Sequence, residues 1–401
     1  MAIFKNPYRP GAGHMPPHLA GRETEYAEFD RLLRQEEILE NLVLTGLRGV
    51  GKTVLLETFK PRAIAAGWLW CGTDLSESAS VSERNLAERI LTDLAVITSG
   101  LTVRITDAPG VGFGSEATER DVPITYDVLR RVFDNTPGLT SDKLKSVLRF
   151  AADYLIAGET PRVIFAYDEA QNLADNAGKE EFPLSMLLDV FAGLQRSGIS
   201  FLLVLTGLPT LFPKLVEART YAERMFRVIM LGRLSEGESE DAIKKPLDVA
   251  DCPVRFTELS VRAIANEAGG YPYFIQFICR EVFDAVLQQS DPERPQPIPI
   301  GAIQRKLDTD FFAGRWARAT DRQRELLYLI SGLEQCDEEF TIQEVVAASK
   351  QADIKEFSAS HVNQMLAALA GQGLVYKNRF GKYSLAVPLL SQFIQRVYSD
   401  A

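Results

Sequence analysis

Gly46-Leu47-Arg48-Gly49-Val50-Gly51-Lys52-Thr53 decides how the rest of the chain is read. The stretch fits the G-x-x-x-x-G-K-[S/T] pattern of a phosphate loop. Asn41-Leu42-Val43-Leu44-Thr45 before it reads as a short buried strand, and Val54-Leu55-Leu56-Glu57-Thr58-Phe59 after it reads as the first turns of a helix. The pattern carries chemistry only in that strand–loop–helix setting. Gly46, Gly49 and Gly51 are expected to supply backbone dihedrals that a Cβ forbids. The exposed N–H groups then point inward as a nest for phosphate oxygens, and the helix that follows adds positive partial charge at its N-terminus. Lys52 is placed to reach the β- and γ-phosphates, and the Thr53 hydroxyl is placed to ligate Mg²⁺. The expected cofactors are therefore ATP and Mg²⁺.

A phosphate loop alone binds a nucleotide and does not hydrolyse it. Arg162-Val163-Ile164-Phe165-Ala166-Tyr167 is a nearly continuous apolar run, as in a buried parallel strand, and it ends in Asp168-Glu169. Asp168 is the expected partner for the Mg²⁺ hydration shell. Glu169 is placed to polarise a water for attack on the γ-phosphate. Ile199-Ser200-Phe201-Leu202-Leu203-Val204-Leu205 is a second such run, ended by Thr206. That hydroxyl either sits between water and γ-phosphate or caps the next turn. Arg219 and Arg224 precede a further candidate strand at 227–231, and Arg227 opens it. Arg224 is the favoured arginine finger, against the alternative of a surface solvator.

The chain has 401 residues, long enough for two or three domains. Trp68-Leu69-Trp70-Cys71 reads as another strand. Strands alternating with helices argue for an α/β fold with a parallel sheet covered by helices on both faces. Residues 1–22 are expected to be extended. Residues 100–122 lose periodicity and are expected to form a flexible insertion. The Gly-rich segment 108–114 within it superficially resembles a dinucleotide fingerprint, but it neither follows a strand nor opens a helix. From 235 the strands stop, and helices are expected at 236–245, 259–266, 273–288 and 300–312, with a proline-rich break at 291–297. Helices at 322–333, 340–349 and 360–369, then alternation across 374–385, form the pattern of a winged helix.

Hydrophobic content of 46% and charged content of 24% are ordinary for a globular protein. No apolar run approaches the length of a bilayer span, and the N-terminus lacks a basic-then-apolar leader pattern, so a cytoplasmic protein without a membrane partner is expected. Cys71, Cys252, Cys279 and Cys336 are far apart and are expected to be buried free thiols. His14, His18 and His361 form no metal-ligand pattern. The net charge of −10 excludes a surface that grips nucleic acid everywhere, so any DNA contact has to come from a local patch.

The phosphate loop, Asp168-Glu169-Ala170-Gln171, Thr206 and the trailing winged-helix pattern resemble an AAA+ ATPase of the origin-recognition/Cdc6-like and STAND group. Bacterial Orc1-like AAA ATPases are similar. The likeness runs from Ala20 to the end. It implies an ATPase domain at 23–233, a helical lid at 234–318 and a winged helix at 319–401. It implies that Arg22, within Leu19-Ala20-Gly21-Arg22-Glu23, lies near the adenine, and that the loop through Val54, with Arg48 and Val50, surrounds the phosphates. Asp168 and Glu169 match the Walker B pair, Thr206 matches sensor 1, and Arg224 matches the finger. Gly269-Gly270-Tyr271-Pro272 matches the segment that opens a lid helix, with Pro272 at the nucleotide. Many members carry an arginine after that proline, whereas here Tyr273 stands there. That departure favours the STAND-like variant and a switch that hydrolyses slowly. The resemblance also implies assembly of like copies.

Two functional readings remain open. In the first, an ATP-driven switch acts on duplex DNA. Ser358, Ser360, His361, Asn363 and Gln364 of the third helix offer polar contacts, and Lys377, Asn378, Arg379 and Lys382 of the hairpin suit phosphates. Against it, the C-terminal region carries Asp337, Glu338, Glu339, Glu344 and Glu356, and its third helix has no lysine or arginine. In the second, the winged helix binds a protein partner or autoinhibits a regulatory or defence ATPase. A metabolic kinase is a poor third, because no acceptor pocket is evident.

Overall fold

The structure is a computed structural model that describes residues 5–399 apart from 12, 108–117, 156–161, 177–178, 251, 253, 288–298, 353 and 380. The chain divides into two units. One comprises Thr24–Thr45 and Leu55–Met230; the other comprises Met1–Glu23, Gly46–Val54 and Leu231–Ala401.

In the first unit the strands are β1 (Asn41–Gly46), β2 (Trp68–Cys71), β3 (Thr102–Asp107), β4 (Thr118–Pro123), β5 (Arg162–Tyr167), β6 (Phe201–Gly207) and β7 (Phe226–Leu231). The main sheet has the order β2-β5-β6-β1-β7. The pairs β2–β5, β5–β6 and β1–β6 are parallel. Every residue of β1 and β6 is buried, which is why both strands read as unbroken apolar runs rather than alternating ones. Side chains still alternate between faces. Val43, Val163, Phe165, Leu203 and Leu205 enter one core with the helix Pro183–Arg196. Phe165 meets Phe191 at 5.1 Å and Phe201 at 5.2 Å. Phe29, from the helix Glu23–Leu33, stacks on Phe59 of the helix Lys52–Ala65 at 4.1 Å. Each such ring, once buried, contributes about 1.5–3 kcal/mol.

The insertion expected at 100–122 is not structureless. β3 and β4 form an antiparallel ribbon in which Val103 pairs Val122 and Arg104 pairs Asp121, with an ion pair at 3.5 Å. Backbone pairing and charge hold it, and Val103 is buried while Arg104, Asp121 and Pro123 are exposed, so hydrophobic periodicity could not reveal it. The Gly-rich segment 108–114 lies outside the described residues.

The second unit contains the helices Glu236–Val249, Glu258–Ala268, Pro272–Leu287 and Ile300–Leu307. The last continues as a π-helical stretch, Asp308–Ala313, and the short helix Gly314–Trp316, where one α-helix was expected to run to 312. Asp321–Ser331, β8 (Phe340–Thr341), Ile342–Ser349, Ala359–Gly371, β9 (Val375–Arg379), β10 (Lys382–Leu385) and Leu390–Ser399 follow. β8, β10 and β9 form an antiparallel sheet in that order. Phe340 and Thr341 were expected to begin a helix. Instead they pair with β10, Phe340 stacks on Tyr383 at 6.2 Å, and Thr341 caps the helix behind it through a capping box with Glu344. Capping boxes at Ser235/Glu238 and Thr320/Gln323 start two other helices. One core runs through the unit from Ile243, Ile275 and Phe283 to Leu326, Leu366 and Phe393. The proline-rich segment 291–297 lies outside the described residues. The four cysteines are free and buried. No helix among the described residues is long and apolar enough to cross a membrane.

Candidate nucleotide site

In the second unit, the phosphate loop leaves the end of β1 and turns into the helix Lys52–Ala65. Gly49 and Gly51 have φ of 81° and 92°. An L side chain in that left-handed region costs about 1–2 kcal/mol. Gly46 is required for another reason than the expected dihedral: its φ is not left-handed, but a Cβ there would lie 2.6 Å from the Leu231 carbonyl oxygen. Lys52 Nζ donates to the carbonyls of Gly46 and Leu47, each at 2.9 Å. Val50 is buried, and Arg48, Thr53 and Val54 are half-buried. Arg22 is 5% exposed and donates to the carbonyls of Val50 at 3.0 Å, Gly21 at 3.2 Å and Gly232 at 3.4 Å. It therefore braces the loop from its carbonyl side. Pro272 is the first residue of its helix, where its missing N–H costs nothing. The next amide, Tyr273 N–H, donates to the Gly49 carbonyl at 3.1 Å. Burial raises the Tyr273 phenol. Arg48 donates to the carbonyl of Gly373 at 3.4 Å.

In the first unit, β5 and β6 end side by side. Asp168, directly after β5, is 3% exposed and accepts from the Glu169 amide at 2.8 Å. Its backbone is anchored to Thr73 and Leu75 at 3.2 and 2.9 Å. Glu169 is exposed and has φ of 53°, a left-handed conformation that a non-glycine residue holds only against its intrinsic preference. Thr206, paired to Leu44 across the β1–β6 ladder, is fully buried, and its hydroxyl has no hydrogen-bond partner among the described residues. Sequence reasoning assigned no separate role to Gln171. Its amide nitrogen donates to Glu169 Oε2, its Oε1 accepts from the Leu208 amide at 3.1 Å, and its carbonyl accepts from Lys214 Nζ at 2.8 Å. It thus joins the Asp168-Glu169 turn to the turn after Thr206. The visible signal was a polar amide three residues past Asp168. Burial lowers the Lys214 ammonium.

Two of the three candidate finger arginines are engaged. Arg219 pairs with Asp189 at 2.6 Å and Arg227 with Glu28 at 2.9 Å. Arg224 is exposed in the short helix Ala222–Met225 and forms no ion pair among the described residues. In the C-terminal region His361, Asn363 and Gln364 are exposed on the helix Ala359–Gly371, and Asn363 accepts from the Tyr383 hydroxyl at 3.2 Å. Lys377 is exposed and Lys382 half-buried. The side chain of Arg379 lies outside the described residues.

In the second unit the loop fits the phosphates of a nucleotide, because two left-handed glycines shape a cradle that a Cβ would strain. In the first unit the buried Thr206 hydroxyl, without a partner among the described residues, wants a polar partner. A Mg²⁺ site beside a nucleotide draws one carboxylate and one hydroxyl from the protein and its other oxygens from phosphate and water, so it needs no cluster of acidic ligands. Thr53 in the second unit carries such a hydroxyl, and Asp168 in the first carries such a carboxylate.

Residues 309–394 match a family model described as a domain of unknown function (DUF8462). No curated protein sequence matches the chain. Among solved structures, the Aeropyrum pernix ORC2 protein in its ADPNP-ADP complexes is 14% identical, with 98% of this chain and 97% of that chain covered at a TM-score of 0.53. Its ADP form is 14% identical, with 97% and 96% covered at 0.52. Cdc6p from Pyrobaculum aerophilum is 15% identical, with 98% and 97% covered at 0.48. At such identities the likeness concerns the fold, and the chain has the fold of the Orc1/Cdc6-like AAA+ ATPases.

Proposed function

We propose that the chain is an ATP-binding, ATP-hydrolysing switch. The observation that carries this reading is the conformation of the phosphate loop, with Gly49 and Gly51 both left-handed immediately before Lys52. Backbone N–H groups of the loop hold the phosphates, and Lys52 exchanges the Gly46 and Leu47 carbonyls for phosphate oxygens. Thr53 and Asp168 would hold Mg²⁺, which would neutralise charge developing on the phosphates. Glu169 takes the proton of the attacking water, with Gln171 fixing its carboxylate. The Thr206 hydroxyl orients that water. Arg224 reaches the site of a neighbouring copy. The Aeropyrum ORC2 protein, of the same fold, is described with ADPNP and ADP, which supports nucleotide binding here. In this reading 23–233 is the ATPase domain, 234–318 the lid and 319–401 a winged helix.

What the switch acts on has two readings. Duplex DNA is favoured by the exposed His361, Asn363 and Gln364 on one helix and by the exposed Lys377. A protein partner is favoured by the acidic surroundings of the hairpin: Asn378 donates to Glu339 at 2.6 Å, and Lys382 lies close enough to Glu344 to lower its carboxyl, after the hydrogen bonds from Thr341. Titration with duplex DNA at low and moderate salt separates the two. Binding that weakens with salt and is lost when Lys377, Arg379 and Lys382 are neutralised supports DNA. No binding at low salt, with ATP-dependent assembly instead, supports the protein partner.

A further inference from the structure

In the first unit, the helices Pro183–Arg196 and Leu211–Ala218, with the segment that leads into the former, border a cleft of about 490 Å³. That volume suits a small organic molecule. Ala174, Asp175, Phe182, Lys214, Glu217 and Arg219 line it, and none of them is a candidate for the base or for the Mg²⁺ ligand.

Most of the charge in the cleft is matched. Asp175 accepts from the Leu184 and Ser185 amides at 3.0 and 3.1 Å and from the Ser185 hydroxyl, so its carboxylate is taken up by the N-terminus of that helix. Arg219 is paired with Asp189 at 2.6 Å and donates to Ser185 Oγ at 2.8 Å. Lys214 differs. It is half-buried, and among the described residues its ammonium forms no ion pair and has one hydrogen bond, to the neutral Gln171 carbonyl at 2.8 Å. Glu217, one turn on, is exposed, and its charge offsets only part of the effect of burial on that ammonium. An ammonium carries three N–H groups, so two remain for an acceptor in the cleft. On another wall the Phe182 ring is 42% exposed.

These features select a ligand class. A carboxylate gives Lys214 charge-assisted hydrogen bonds that a carbonyl does not. A doubly charged anion is disfavoured, because Asp175 and Glu217 line the same space. An apolar body covers Phe182. The carbonyl that Lys214 holds belongs to Gln171, whose amide nitrogen holds Glu169. A carboxylate that draws the ammonium into the cleft therefore loosens the residue that aims the base.

We propose that the cleft is an effector site for a small organic monocarboxylate with an apolar body, and that its occupation slows ATP hydrolysis through Lys214 and Gln171. The effect on hydrolysis rests on the reading of Glu169 as the base; the binding of the acid does not.

The test titrates phenylacetate, acetate and inorganic phosphate into the full chain and its Lys214→Met, Phe182→Ala and Lys52→Ala variants by ligand-observed NMR, with melting temperature as a folding control. Phosphate release at saturating ATP is then followed with and without phenylacetate. Phenylacetate is expected to saturate the parent and Lys52→Ala alike, and to bind Lys214→Met about tenfold or more weakly. Phe182→Ala is expected to weaken phenylacetate about threefold and to leave acetate within about twofold. Saturating phenylacetate is expected to slow release by the parent about threefold or more and to leave release by Lys214→Met unchanged. No saturable binding by the parent, or binding kept by Lys214→Met, overturns the site. Binding lost in Lys52→Ala instead places the acid in the phosphate loop and overturns it too. Phosphate that binds more tightly than phenylacetate and depends on Lys214 overturns the ligand class. Phenylacetate bound through Lys214 with release unchanged overturns the effector role. A parent that releases no phosphate removes the hydrolysis reading and the effector role with it, while the binding arm still decides the site. Should Lys214→Met fail to fold, Lys214→Gln decides by the same readings.

Discussion

The amide of Tyr273 donates to the carbonyl of Gly49 at 3.1 Å, so the helix that begins at Pro272 is tied by its first turn to the phosphate loop. Gly49 can accept this neighbour because it lacks a side chain: a Cβ would lie 3.2 Å from Tyr273 Cβ on a backbone at φ 81°. Gly49→Ala is expected to cost about 1–2 kcal/mol of stability. ATP affinity should fall about tenfold with it. Thermal melting and nucleotide titration measure the two effects, and parent-like values for both would show that the loop does not need this conformation.

Glu169 is held by Gln171, which also binds the turn after Thr206. Glu169→Gln is expected to bind ATP within about twofold of the parent and to hydrolyse it at least about 10²-fold more slowly. Gln171→Ala is expected to lose about tenfold in turnover with binding retained, because only the aim of the carboxylate changes. Steady-state phosphate release decides, and undiminished release by Glu169→Gln removes this residue from the role of base.

Arg224 is the candidate finger left unengaged when Asp189 takes Arg219 and Glu28 takes Arg227. Arg224→Ala is expected to lower turnover by about 10³-fold or more. Mixing Arg224→Ala with Glu169→Gln should restore part of the activity, since one copy then keeps an intact site and the other keeps the arginine. A mixture as inactive as its components would contradict action between copies.

The Glu238 carboxyl is held below its usual range by the Ser235 amide and then the Ser235 hydroxyl, as the reciprocal half of a capping box. The folded pKa is depressed, so the ionised form stabilises: the contribution is present above the ordinary value of 4.5 and is lost as pH falls through the lower folded value. Glu238→Ala should therefore cost about 0.5–1 kcal/mol at neutral pH. Denaturant melts should find that gap constant down to about pH 5 and closing below 4.5. A gap that widens in acid would refute the sign.

Much of the site could be read from the sequence because it is local. The phosphate loop is one continuous stretch, and Asp168 and Thr206 each follow an apolar run whose burial on both faces leaves no doubt about its type. The β3–β4 ribbon was hidden because Thr102, Arg104, Asp121 and Pro123 are exposed and only Val103 is buried among its described side chains, so pairing rather than packing defines it. β8 was hidden because two residues carry no period. The contacts of Gln171 depend on two strands ending side by side, a juxtaposition that does not exist along the chain. Gly46 shows the same limit in one residue: its place in the pattern was plain, but the Leu231 carbonyl that demands it was not.

The most direct test of the account is calorimetric titration of Mg²⁺·ATP into the parent chain and into Lys52→Ala. The account predicts saturable one-to-one binding by the parent and a loss of at least about a hundredfold in affinity for Lys52→Ala at unchanged melting temperature. Equal binding by the two proteins, or no binding by a folded parent, would contradict it.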